Sequence, residues 1–182
     1  MNDELSLVDK LLEIHRSLDS AGLPHAFGGA LALAWCTLRA RGTIDIDLNV
    51  FVPVDDANEV VAGLPPEVHI GDGDLELLCR DGQVRTWWGT TPLDLFLNTT
   101  EFHDGAELRC RVESFAGQLV PFLSCDDLAV FKAFFNRTKD WADLEEMQRA
   151  GTLDVDRVIG VLVRYLGADD HRVERLLALA GP

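Results

Sequence analysis

The stretch Phe27–Val52, FGGALALAWCTLRARGTIDIDLNVFV, constrains the fold of this chain more than any other. A short extended segment, His25–Phe27, runs into the pair Gly28-Gly29, and Ala30–Ala40 then follows with an alanine- and leucine-rich composition that favours helix. A second strand, Asp45–Val52, carries an Asp-x-Asp pair. Side chains on a strand alternate faces, so Asp45 and Asp47 point one way and Ile44, Ile46 and Leu48 the other. Two carboxylates at one strand end repel each other, and a divalent cation resolves the conflict. Mg²⁺ is typically held by one or two carboxylates together with substrate phosphate oxygens. Glycine lets backbone approach a ligand closely, and the N–H groups opening a helix attract anions. Phosphate at Gly28-Gly29 with metal at Asp45 and Asp47 is an arrangement for a nucleoside triphosphate.

The rest of the chain frames that stretch. Residues 3–21 carry apolar positions at helical spacing and stop at Gly22-Leu23-Pro24, which predicts a packing helix. Asp55 and Asp56 open a short helix, as capping and dipole partners do. Leu75–Arg80 and Val84–Trp88 read as two strands joined at Asp81-Gly82, with Trp87 and Trp88 divided between rim and core. In Leu93–Asn98 the leucines at 93, 95 and 97 share a face and Asp94 stands opposite them. An acid there is costly to bury alone, so Asp94 is either a third carboxylate beside Asp45 and Asp47 or a strand aspartate paired to an arginine. Glu107–Glu113 alternates as a strand, and Phe115–Leu123 reads as a further extended piece. From Ser124 the character becomes helical, with Asp126 as the expected cap and Lys132 placed among apolar residues, either snorkelling or facing an anion. Residues 140–147, 154–166 and 169–179 continue as helices, giving an expected division into 1–124 and a C-terminal helical bundle, 125–182.

A chain of 182 residues suffices for one domain with a small appendage. Its formal net charge of −15 argues against nucleic-acid binding through a broad basic face, although the arginines at 39, 41, 80, 85, 109 and 111 and the group Lys132, Arg137 and Lys139 allow a local patch. Four cysteines lie far apart in apolar contexts without C-x-x-C spacing, which predicts buried free thiols. Without a signal-peptide pattern or an apolar run of roughly 18 residues, the expectation is a cytoplasmic protein that makes no membrane contact.

The glycine turn, the Asp-x-Asp strand and the third aspartate together resemble the signature of the nucleotidyltransferase superfamily related to DNA polymerase β. The wording GGALALAW, LRARGTIDIDLNV and KAFFNRTKDWADLEEM is similar to the AbiEii/AbiGii-type toxin nucleotidyltransferases, with matches over 27–52, 91–98 and 126–146. The resemblance implies an α/β (α+β) nucleotidyltransferase fold, a mixed sheet flanked by helices and followed by a helical bundle. It implies Mg²⁺-dependent transfer of a nucleoside monophosphate from an NTP to an acceptor hydroxyl by a two-metal mechanism. Asp45, Asp47 and Asp94 would be the catalytic and metal-binding residues, and Gly28, Gly29 and Lys132 would position the triphosphate. Arg137, Lys139 and Asp140 would lie on the active-site side of the helical part. The toxin resemblance points to RNA, such as a tRNA end, as acceptor and to an antitoxin as partner. The negative charge points instead to a small cation of aminoglycoside type, and a protein hydroxyl is the third candidate. The chain departs from the pattern in having Gly-Gly where many active members have Gly-Ser, and in a longer spacing from Gly29 to Asp45. Those departures keep open a catalytically degenerate protein that binds a nucleotide or a partner.

Overall fold

The computed structural model describes residues 5–180, which fall into two compact units. The first contains the described residues up to Gly29 together with Gly42–Leu123, and the second contains Ala30–Arg41 together with the described residues from Ser124 onward.

The first unit is built on a seven-stranded mixed sheet. Its strands are β1 (His25–Phe27), β2 (Ile46–Pro53), β3 (Val68–His69), β4 (Gln83–Trp88), β5 (Thr91–Asn98), β6 (Arg111–Phe115) and β7 (Gln118–Phe122), in the spatial order β3-β4-β5-β2-β1-β7-β6. The β2–β5 and β1–β7 pairs are parallel and the others antiparallel. At the centre, Ile46, Leu48 and Val50 of β2 and Leu93, Leu95 and Leu97 of β5 are buried, as period-two alternation requires. Helix α1 (Leu7–Ser20) starts at Ser6, whose hydroxyl accepts the Asp9 N–H at 3.2 Å, and buries Leu11, Leu12, Ile14 and Leu18. From the same helix the buried Lys10 donates to the Trp88 carbonyl at 3.0 Å and to Thr91 Oγ1 at 2.9 Å, pinning the turn between β4 and β5. Helices α3 (Ala57–Gly63), α4 (Asp72–Asp81) and α5 (Glu101–Glu107) complete the unit.

The second unit consists of α2 (Gly29–Thr37, counted here from Ala30) and α6 (Cys125–Phe135), α7 (Thr138–Ala150), α8 (Val155–Leu166) and α9 (His171–Ala180). It buries Leu33, Leu128, Val130, Trp141, Leu144, Met147, Val158, Leu162 and Leu176. Among the described residues no helix is long and apolar enough to cross a membrane.

Several local expectations are corrected. Leu75–Arg80 is not a strand: residues 72–81 form α4, and Gly82, at φ +67°, is the helix's left-handed stop, its N–H donating to the Leu78 carbonyl at 3.0 Å. The segment has no β-branched residue, and a positive-φ glycine ends a helix as readily as it turns a hairpin. Strand β6 begins at Arg111, later than Glu107, which belongs to α5. Ser124, not Asp126, caps α6, its hydroxyl accepting the Asp127 N–H at 3.1 Å. Ile44 lies before β2 and is 74% exposed instead of sharing the buried face. The thiols are corrected as well. Cys36 of α2 and Cys125 of α6 form a disulfide across a separation of 89 residues, whereas Cys79 is exposed and Cys110 half-buried. Paired in this way, the cysteines no longer argue for a reducing compartment.

Candidate active site

In the first unit the glycine turn and the Asp-x-Asp strand meet directly. The Gly28 N–H donates to the Asp47 carbonyl at 2.8 Å, which fixes the turn against β2. Gly29 has φ +55°, and a Cβ built on it would collide with the Asp47 carboxylate. A serine at 29 therefore has no room in this conformation, which gives the Gly-Gly turn a physical reason: the second glycine makes space for the Asp47 side chain. Gly28 is similarly hemmed in by the Leu123 and Asn49 side chains.

The carboxylates are set out by strand register. Asp47 of β2 is the Cα partner of Asp94 on the parallel strand β5, and Asp94 is in turn the partner of Arg85 on the antiparallel strand β4. Asp45 sits just before β2, its N–H bonded to Thr43 Oγ1 at 3.2 Å. Arg85 grips Asp94 in a two-pronged ion pair, Nε to Oδ1 at 2.7 Å and Nη2 to Oδ2 at 2.6 Å, and the same Nη2 reaches Asp45 Oδ2 at 3.5 Å. The Asp94 hydrogen bonds push the guanidinium above its ordinary pKa; partial burial opposes this, and the charges of Asp94, Asp45 and Asp47 add to it. One cation thus bonds Asp94 and reaches Asp45, with the charge of Asp47 nearby. Opposite charges directly across a strand pair stabilise it.

Sequence reasoning left Asp94 between two roles without naming a partner. The signal was present in Gly89-Thr90: a two-residue connection pairs Trp88 with Thr91, and counting back along both strands brings Arg85 opposite Asp94.

The remaining anticipated residues belong to the second unit. Lys132 is buried and donates to Asp143 Oδ2 at 2.7 Å, with Asp140 Oδ1 4.0 Å away. Asp143 also receives Arg41 in a fork, at 2.7 and 3.3 Å. Burial alone would raise the Asp143 carboxyl, but the hydrogen bonds from Arg41 and Lys132 outweigh it and hold the group below the usual carboxylate range. Arg137 is exposed and folds back on the buried Asp140 at 2.7 and 3.1 Å, while its guanidinium lies over the Phe135 ring. Lys139 is exposed on α7. Asp143, which sequence reading passed over, is the hub of this network; its place three residues after Asp140, on the same helix face, was the available sign.

Whether a divalent ion suits the first unit can be judged from these donors. Among the described residues no group of three or more His, Cys, Asp or Glu side chains is placed to hold a metal ion. Asp45, just before β2, and Asp47, within it, nevertheless offer hard oxygen donors two residues apart, a donor type that fits Mg²⁺ sharing its remaining positions with phosphate and water.

No protein-family model matches the chain, and comparison with curated proteins finds no match. Solved structures do match. The solution structure of the antibiotic-resistance factor ANT(2'')-Ia aligns with a TM-score of 0.56 at 20% identity, over 94% of this chain and 89% of that one. The crystal structure of ANT(2'')-Ia in complex with adenylyl-2''-tobramycin aligns with the same score and identity, over 94% of both chains. A weaker likeness, TM-score 0.48 at 14% identity over 94% and 85%, is to an antigenic nucleotidyltransferase-like protein from Paracoccidioides brasiliensis. With its seven-stranded mixed sheet and flanking helices, the chain has the nucleotidyltransferase fold.

Proposed function

We propose that this protein is a nucleotidyltransferase that moves a nucleoside monophosphate from an NTP to a hydroxyl of a small cationic acceptor. The observation that carries the reading is the row Asp47, Asp94 and Arg85 across three adjacent strands, with Asp45 two residues before Asp47 and the Gly28-Gly29 turn seated against the same strand. Asp45 and Asp47 would hold Mg²⁺, which when bound neutralises charge on the oxygens that enter and leave in an in-line displacement. Gly28 and Gly29 carry no side chain of their own, so their backbone can approach the triphosphate once the Asp47 carboxylate over Gly29 turns to the metal. Asp94 takes the proton of the acceptor hydroxyl: Arg85 occupies one direction at each of its oxygens, and a carboxylate oxygen has a second lone pair to offer. In a two-metal version of this chemistry Asp94 would also contribute to the second ion. Because the protein forms no covalent intermediate in such a reaction, positioning and electrostatics supply the acceleration. A cationic acceptor suits a chain of net charge −15, and ANT(2'')-Ia, the protein of similar fold, has been seen with an adenylylated aminoglycoside.

A binding-only reading has one observation in its favour, the Asp47 carboxylate lying over Gly29 at the turn where phosphate would approach. Calorimetric titration with each of the four NTPs in Mg²⁺, repeated on Asp45→Asn and Asp47→Asn, tests for the site. Transfer of label from the NTP to aminoglycosides and, separately, to tRNA then tests the chemistry. Metal-dependent binding lost in both variants and label on an aminoglycoside support the proposal. Label on tRNA moves the acceptor to RNA, binding without transfer supports the second reading, and no binding of any NTP removes both.

A further inference from the structure

Two carboxylates, Asp94 and Asp45, converge on a single guanidinium in the first unit, and the nucleotidyl-transfer reading gives that guanidinium no chemical step. Arg85 spends two hydrogen bonds on Asp94, at 2.7 and 2.6 Å, and its shared Nη2 reaches Asp45 at 3.5 Å. Its side chain is 48% exposed, so it can leave the carboxylates for solvent without opening the core. Its position on β4, in register with Asp94, keeps it close to them even when it does. A guanidinium and a divalent ion satisfy a carboxylate in different ways but draw on the same negative potential. Both cannot be served fully by Asp94 and Asp45.

We propose that Arg85 is a resident counter-cation that competes with a divalent metal ion for Asp94 and Asp45, and thereby sets the metal affinity of the site. The proposal rests on the metal-binding part of the nucleotidyltransferase reading. It makes Arg85 a positioning residue: it holds the carboxylates together before the metal arrives and gives them up when it does.

The test is titration of the purified full-length protein with Mn²⁺ alone, following free Mn²⁺ by electron paramagnetic resonance, so no turnover is needed. Arg85→Gln and Arg85→Ala are compared with wild type and with Arg80→Ala. Arg80 is exposed and paired to its neighbour Asp81, so its loss makes the same change in net charge away from the site. Circular dichroism confirms that each variant is folded, and glutamine provides the gentler change should alanine fail to fold. The Arg85 variants should bind Mn²⁺ about tenfold more tightly than wild type, the weight of one unit charge acting on a divalent ion across about 6 Å of water-like dielectric. Arg80→Ala should match wild type. Folded Arg85 variants that bind as wild type does, at a site abolished by Asp47→Asn, overturn the role given to Arg85 while leaving the metal site standing. Mn²⁺ bound by neither wild type nor the Arg85 variants overturns both the role and the metal site beneath it.

Discussion

Asp143→Asn is the most informative single change in the helical unit. Asp143 is 2% exposed and accepts Lys132 Nζ at 2.7 Å and the Arg41 fork at 2.7 and 3.3 Å. Removing one partner of a buried pair costs about 3–5 kcal/mol, because the other charge stays behind without compensation. Two features place this case near the lower figure. Lys132 keeps Asp140 at 4.0 Å, and half-exposed Arg41 can turn to water. The expected loss is therefore about 3 kcal/mol, read as a fall in the urea midpoint at pH 7 with an unchanged slope. The double variant Lys132→Met, Asp143→Leu removes both charges of the closest pair and should recover most of that loss. pH gives an independent check. Since the native carboxyl titrates below its unfolded value, its contribution is complete above the ordinary carboxylate range and disappears as pH falls through the depressed native value. Asp143→Asn should flatten that acid limb. A loss under about 1 kcal/mol, typical of exposed pairs, would refute the reasoning and leave Lys132 available for another partner.

Two further outcomes follow from the structure. Reducing the Cys36–Cys125 disulfide, which joins residues 89 apart, should cost about 4–5 kcal/mol on the chain-entropy account; titration of four free thiols in the denatured, unreduced protein would show that the bond does not form. His25 is buried, its Nδ1 donating to the Leu23 carbonyl at 2.8 Å and its Nε2 2.8 Å from His15 Nδ1. Burial lowers its pKa most; the Leu23 hydrogen bond pulls the other way and His15 adds to the lowering. The neutral ring is thus the native form, its contribution is whole above the ordinary histidine range, and it is lost as pH falls through the lowered native value. Wild type should lose stability between pH 7.5 and 5.5 more steeply than His25→Gln, and parallel profiles would exclude the pair as the cause.

What could be read without coordinates was whatever local periodicity determines. The alternations Ile46, Leu48, Val50 and Leu93, Leu95, Leu97 announced the two central strands and the faces on which Asp47 and Asp94 stand. Trp87 and Trp88 divided between rim and core because they fall on alternate positions of β4. Leu75, Leu77 and Leu78, by contrast, fit a period of two about as well as one of 3.6, and the glycine at 82 served either outcome. Non-local partnerships were out of reach for a different reason. The Cys36–Cys125 bond and the Arg41–Asp143 pair depend on where distant helices pack, which no spacing along the chain encodes.

The helix that leaves the glycine turn belongs, by its packing, with residues far downstream: Cys36 is bonded to Cys125, and its carbonyl accepts the Thr152 hydroxyl at 3.0 Å. During synthesis, that helix therefore emerges well before Cys125 and Thr152 exist. At ordinary ribosomal speeds the wait between Cys36 and Cys125 is on the order of 5–20 s. Over that interval an apolar segment, ALALAW, stands without its native cover. A nascent chain arrested shortly before residue 124 should accordingly recruit a holding chaperone through this segment and release it once the last helices are made.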